Sequence, residues 1–129
     1  MRTSLFLILL AGSLSLVSCK KDKSSEDEVV SAVVTITNPH DGDTIHGNFT
    51  LAGTIVGTAN LHGYQITVTN TLNDSIIYQN EVHDHAADFT VNQAISHGFS
   101  NYTPLKLNLV VALDHDGNTT SKSVLFTVH

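Results

Sequence analysis

Eight histidines in a chain of 129 residues give this sequence its clearest potential for chemistry. Imidazole is the commonest metal ligand among side chains. The sharpest local pattern is His83-Asp84-His85, because residues two apart in an extended chain point to the same side and both imidazoles could reach one ion. Two further imidazoles from neighbouring loops would complete a tetrahedral set for zinc or a tetragonal set for copper(II). The alternative is that these histidines are simply solvated loop residues.

The segments that must position these histidines have the pattern of β-strands. After residue 28, apolar and polar residues alternate and helical periodicity is almost absent. Seven predicted strands have inward-facing residues within 30–36, 49–55, 64–68, 76–78, 89–91, 105–113 and 124–128. We therefore predict an all-β fold, a seven-stranded antiparallel sandwich of two sheets.

The strand order predicts which histidines share an end of the sandwich, since successive loops of antiparallel strands alternate between the two ends. Loops 56–63, 80–87 and 114–118 would then lie together and carry His62, His83, His85 and His115, while His40, His46, His97 and His129 would lie at the other end. Asp84, Asp114 and Asp116 could orient the imidazoles. One missed or extra strand would separate His115 from His83, so the interpretation depends on the strand count.

The N-terminus has the pattern of an export signal. The apolar run 5–16 follows a single positive charge and is too short to cross a bilayer, which takes roughly 20 apolar residues. It ends in Leu16-Val17-Ser18-Cys19, which resembles the lipobox of bacterial lipoproteins. That resemblance implies removal of a signal peptide at 1–18, diacylglycerol on Cys19 and acylation of the new amino terminus by a fatty acid such as palmitate. An ordinary signal peptide with an incidental cysteine is the alternative.

The segment after Cys19 has no apolar residue and is predicted to be a flexible charged tether, spanning 19–28 with the lipidated cysteine. Its change from lysines to acidic residues resembles the surface-export signal of Bacteroidetes lipoproteins, although a plain spacer explains it equally well. We expect a lipid-anchored protein of the outer membrane, on the cell surface or the periplasmic face. Cys19 is the only cysteine, so the domain at 29–129 can have neither a disulfide nor a thiolate metal ligand.

Two motifs resemble those of bacterial immunoglobulin-like (Ig-like) domains. Asn38-Pro39-His40-Asp41-Gly42-Asp43-Thr44-Ile45 is similar to the turn that follows their first strand, and 109–118 is similar to their closing hairpin. With the lipobox, the chain resembles uncharacterised Ig-like lipoproteins of Bacteroidetes. The resemblance implies the fold and says little about function, because such sandwiches have many unrelated roles.

Composition and missing motifs argue against several other functions. Twelve Asp and Glu against six Lys and Arg argue against nucleic-acid binding. The sequence has neither a Gly-x-Ser-x-Gly elbow nor a phosphate-binding glycine loop, and we expect no enzymatic activity. The segment 114–118 is too short for an EF-hand and is better explained as a turn at Gly117.

These observations predict a membrane-anchored Ig-like binding domain that holds zinc or copper(II) through loop histidines. The competing prediction is a structural or adhesive module for a protein or glycan partner. The absence of tryptophan weakens the glycan version, because sugars usually stack on broad aromatic faces.

Overall fold

A computed structural model describes residues 28–129. The predicted signal peptide, Cys19 and all of the tether except Glu28 lie outside this range. Among the described residues, no helix is long and apolar enough to cross a membrane. Eight strands make up the fold: β1 (Ala32–Asn38), β2 (Thr44–Ile45), β3 (Phe49–Leu61), β4 (Tyr64–Asn70), β5 (Ile76–Val82), β6 (Ala86–Ile95), β7 (Thr103–Ala112) and β8 (Thr119–Val128).

The strands form two sheets. One has the order β1-β3-β6 and the other the order β2-β8-β7-β4-β5. The connections β3–β4 and β5–β6 therefore pass from one sheet to the other, while β7 and β8 are neighbours in one sheet. A two-sheet sandwich whose strands interleave between the sheets in this way has an Ig-like arrangement.

The core lies between the sheets and follows the alternation in the sequence. On β7, Leu105, Leu107, Leu109 and Val111 are completely buried, whereas the residues between them face outward. They face a buried row on the opposite sheet that includes Leu51 and Ile55 of β3. Burial of aliphatic side chains is the main stabilising contribution available to a domain without disulfides.

The prediction of seven strands, all antiparallel, is wrong in one respect. The additional strand β2 has two residues and pairs in parallel with β8, with Thr44 opposite Thr127 and Ile45 opposite Val128. Two residues are too few to show alternation. Tertiary contacts hold this segment instead, since Asp41 and Gly42 in the preceding turn hydrogen-bond to the backbone of Leu125.

The extra strand does not change which loops share an end. From the pairing directions, β2 runs the same way as β1 and continues it on the other sheet, so the alternation of later loops is unaffected. Two of the three loops that carry the candidate histidines are shorter than predicted, however. β3 continues to Leu61 through a register irregularity after Val56, and β5 continues to Val82.

Candidate metal centre

Four histidine rings from three connections lie in contact at one end of the sandwich. His62 belongs to the β3–β4 connection, His83 and His85 to the β5–β6 connection, and His115 to the β7–β8 turn. The centroid of the His62 ring is 3.8 Å from that of His115 and 4.4 Å from that of His85. His85 in turn lies 5.6 Å from His83 and 5.9 Å from His115. We call these four residues the histidine cluster.

Backbone contacts fix His62 within this cluster. Its N–H donates to the carbonyl of Ala112 at 2.8 Å, and the N–H of Ala112 donates to the carbonyl of Gly63 at 3.0 Å. The two-residue connection is thereby tied to the end of β7. The next residue after this end is Leu113, so the β7–β8 turn with His115 begins beside His62.

Gly63 brings the end of β5 against the same connection. Its φ is +110°, and a Cβ built there would lie 2.0 Å from the carbonyl oxygen of Val82 and 3.1 Å from the Cα of His83. Only glycine permits this combination of positive φ and close backbone approach. The absence of a side chain at Gly63 therefore places His83 near His62.

The turn that carries His115 is closed by Asp114. The Asp114 carboxylate accepts hydrogen bonds from the N–H groups of Asp116 and Asn118 and from the side-chain amide of Asn118, at 2.7–3.1 Å. The Asn118 side-chain bond is the main reason that the pKa of Asp114 lies below its usual value. This carboxylate stabilises its own turn and adds a negative charge near His62.

The environment of His62 disfavours protonation of its ring. Burial, followed by the neighbouring His115 and His85, lowers its pKa below the ordinary value, while Asp114 opposes the shift. Its Nδ1 is buried and has no hydrogen-bond partner within residues 28–129. A neutral ring with an unsatisfied nitrogen is suited to metal coordination, because the metal takes the imidazole lone pair.

The rings are about as far apart as imidazole ligands of one ion would be. Their nitrogen atoms, however, do not point to a common position. With zinc–nitrogen bonds of about 2.0–2.1 Å, tetrahedral imidazole ligands have ring centroids roughly 5 Å apart. The contacts in the cluster span 3.8–5.9 Å. As the rings stand, no group of three or more His, Cys, Asp or Glu side chains in the described range is arranged around a metal position. Coordination therefore requires rotation of side chains, and His83, His85 and His115 are exposed enough to rotate.

A cavity of about 370 Å³ adjoins the cluster, and it contains a carboxylate that the sequence interpretation missed. His62, His83 and His115 line it together with Tyr64 and Glu81. Glu81 stands two residues before His83, so both side chains lie on the same side of an extended strand, and this spacing was the signal for it in the sequence. The register of β4 and β5 pairs Glu81 with Gln65, close to the His62 connection, and this register could not be known from the sequence.

The remaining histidines lie at the opposite end and do not join the cluster. His40 is 3.4 Å from the Asp43 carboxylate. The His97 Nε2 is 2.6 Å from the carbonyl oxygen of Gly47. The rings of His46 and His129 are in contact with each other, 5.4 Å between centroids.

Comparison with known proteins identifies no family. No protein-family model matches the chain and no curated protein sequence matches it. Among solved structures, it is similar to the fibronectin(III)-like modules of Clostridium thermocellum CbhA, with 16% identity over 74% of this chain and 94% of that chain and a TM-score of 0.46. Similarity at this level has no bearing on function.

The lowered pKa of His62 predicts loss of stability on mild acidification. The unfolded chain protonates this histidine near pH 6.5, while the native state takes up the proton only at lower pH. Stability present above about pH 6.5 should therefore fall as the pH drops below that value, because the unfolded state then binds more protons. Urea unfolding across a pH series, with a chelator present, measures this slope.

The variant His62→Gln should flatten that slope, whereas His40→Gln at the other end should leave it unchanged. Asp114 should affect the pH dependence of stability only at lower pH. Because its pKa is lowered in the native state, the native state loses stability when the carboxylate is protonated there. An equal slope between pH 5 and 7 in wild type and His62→Gln would contradict the assignment.

Proposed function

We propose that this protein is an exported, lipid-anchored Ig-like domain that binds a divalent transition metal through the histidine cluster. The observation that carries the proposal is the contact of the His62 ring with the rings of His85 and His115, with His83 adjoining His85. The buried Nδ1 of His62 has no partner in the described range. A metal bound to this nitrogen would satisfy it.

The chemistry of the cluster favours a borderline metal. Imidazole suits zinc, copper and nickel, whereas calcium and magnesium prefer oxygen ligands. The Asp114 oxygens are occupied by their own turn, and Asp84 accepts a hydrogen bond from the N–H of His85 at 2.7 Å. Nitrogen donors therefore dominate the site, and zinc or copper(II) is the expected ion.

Thermal unfolding of the chelator-stripped protein, with and without zinc or copper(II), tests metal binding. An ion that binds only the native state at 100 times its dissociation constant stabilises it by about 2.7 kcal/mol, so we expect the melting temperature to rise. The double variant His83→Ala/His85→Ala should lose most of this rise because it removes two of the four ligands.

The matched control is His40→Ala, which removes an exposed histidine at the other end and should keep the full rise. The proposal fails if neither metal raises the melting temperature at ligand excess, or if the double variant responds like wild type. Elemental analysis of the purified protein then identifies the metal carried from the cell.

The anchor is proposed from the sequence alone. Lipid on Cys19 would hold the domain at the outer membrane, and chain direction places the start of β1 at the same end as the histidine cluster. A metal site would then lie on the membrane-proximal side of the domain. Protease accessibility on intact cells distinguishes the cell surface from the periplasmic face.

An adhesive or structural module is the second candidate, and the free edge of the larger sheet favours it. β5 pairs with β4 on one side only, and Ile76 at its start is 59% exposed. A partner strand could add to such an edge through backbone hydrogen bonds. Specific capture of an outer-membrane protein by the wild-type domain, lost in Ile76→Lys, would favour this function.

A further inference from the structure

The short parallel strand β2 creates a second pair of histidines at the end opposite the cluster. The ladder pairs Thr44 with Thr127 and Ile45 with Val128, so the next residues in register are His46 and His129. The ladder continues through them, since the His129 N–H donates to Ile45 and its carbonyl accepts from the Gly47 N–H, both at 2.9 Å. Parallel neighbours in register project to the same side of a sheet.

Both imidazoles present the same nitrogen to each other. The two Nδ1 atoms are 3.4 Å apart and the ring planes are inclined at 80°. Two nitrogen ligands of a tetrahedral zinc ion, each about 2.0–2.1 Å from the metal, are separated by about 3.3 Å. The pair therefore already has the spacing of two ligands of one ion.

A third ring holds His129 in this position. The antiparallel register of β7 and β8 pairs Thr103 with Val128, which brings Tyr102 opposite His129. The Tyr102 and His129 rings are stacked, with centroids 4.5 Å apart and planes inclined at 29°. His129 is thus held between Tyr102 on one side and His46 on the other, which reduces the entropy lost on binding.

We propose that His46 and His129 form a second site for a divalent metal of tetrahedral preference, with zinc as the expected ion. Water would supply the remaining ligands, since His40 contacts Asp43 and His97 contacts Gly47. With two protein ligands instead of three or four, this site binds more weakly than the histidine cluster. Its open positions leave the ion free to accept a donor group from outside the protein.

A zinc titration monitored by NMR of the histidine ring nitrogens tests this site. It is carried out on the His83→Ala/His85→Ala variant, in which binding at the cluster is weakened. The His46 and His129 resonances should shift and saturate together with one ion per chain. Adding His46→Ala should weaken zinc binding at this end by at least about tenfold, since even partners that only orient a ligand are worth about 10–100-fold. Adding His40→Ala should leave it unchanged.

The proposal is overturned if neither ring shifts at millimolar zinc, because the pair is then only hydrogen-bonded. It is also overturned if His129 shifts equally well with and without His46. A separate result would contradict metal binding at the histidine cluster. In that case zinc would raise the melting temperature equally in wild type and in His83→Ala/His85→Ala.

Discussion

Gly63→Ala should destabilise the domain by about 3 kcal/mol and weaken metal binding at the histidine cluster. Positive φ in a non-glycine residue costs about 1–3 kcal/mol, and relieving a steric overlap in a packed region costs a similar amount. At Gly63 both apply, since φ is +110° and a Cβ would lie 2.0 Å from the Val82 carbonyl oxygen. The chain must move the end of β5 away, which separates His83 from His62. Urea denaturation and zinc titration measure the two effects.

Gly117→Ala is the matched control for the steric part. Gly117 also has positive φ, +87°, but a Cβ there would have no atom within 4 Å. It should therefore cost about 1 kcal/mol, from backbone strain alone, and should leave the cluster in place. Equal losses of stability in the two variants would show that the close approach of Gly63 to β5 is unimportant.

Cys19→Ala should abolish membrane retention. Lipidation needs the thiol, and no other cysteine in the chain can replace it. Each buried methylene contributes about 0.8 kcal/mol to membrane binding, so losing the two or three acyl chains proposed for Cys19 would remove the whole anchor. In detergent phase partitioning, the wild-type protein should enter the detergent phase and incorporate labelled palmitate. The variant should incorporate none.

Ser18→Ala serves as the control, because it keeps a small residue before the cysteine and should be lipidated normally. Palmitate incorporation by Cys19→Ala would show that the lipid is attached elsewhere. Retention without any incorporated lipid would show that the apolar segment at 5–16 is itself the anchor.

The period-two pattern was enough to predict the seven longer strands and the buried row on β7. Leu105, Leu107 and Leu109 are all fully buried, as their spacing indicated. This succeeded because alternation is a local property that burial of one sheet face imposes along a strand. It was misleading at the start of β5, where Ile76 was expected to face inward and is 59% exposed. β2 has only two residues and is held by contacts with β8, so no local pattern revealed it.

The composition of the histidine cluster was predicted from the sequence, and its contacts were not. Chain direction alone placed His62, His83, His85 and His115 at one end, because strand order fixes which loops are neighbours. The cavity residue Glu81 depends on the register between β4 and β5. The close approach at Gly63 depends on the distance between two backbones, which a single segment does not encode.

Without the structure, one can infer the all-β class, the acidic composition, the absence of a disulfide within residues 29–129 and the end of the sandwich at which each histidine lies. These follow from residue types and from periodicity along one chain. Two features could be seen only in the folded domain: the buried Nδ1 of His62, which has no partner within residues 28–129, and the position of His46 beside His129. Both depend on register and packing between strands distant in sequence, where a shift of one residue would turn each side chain to the opposite face.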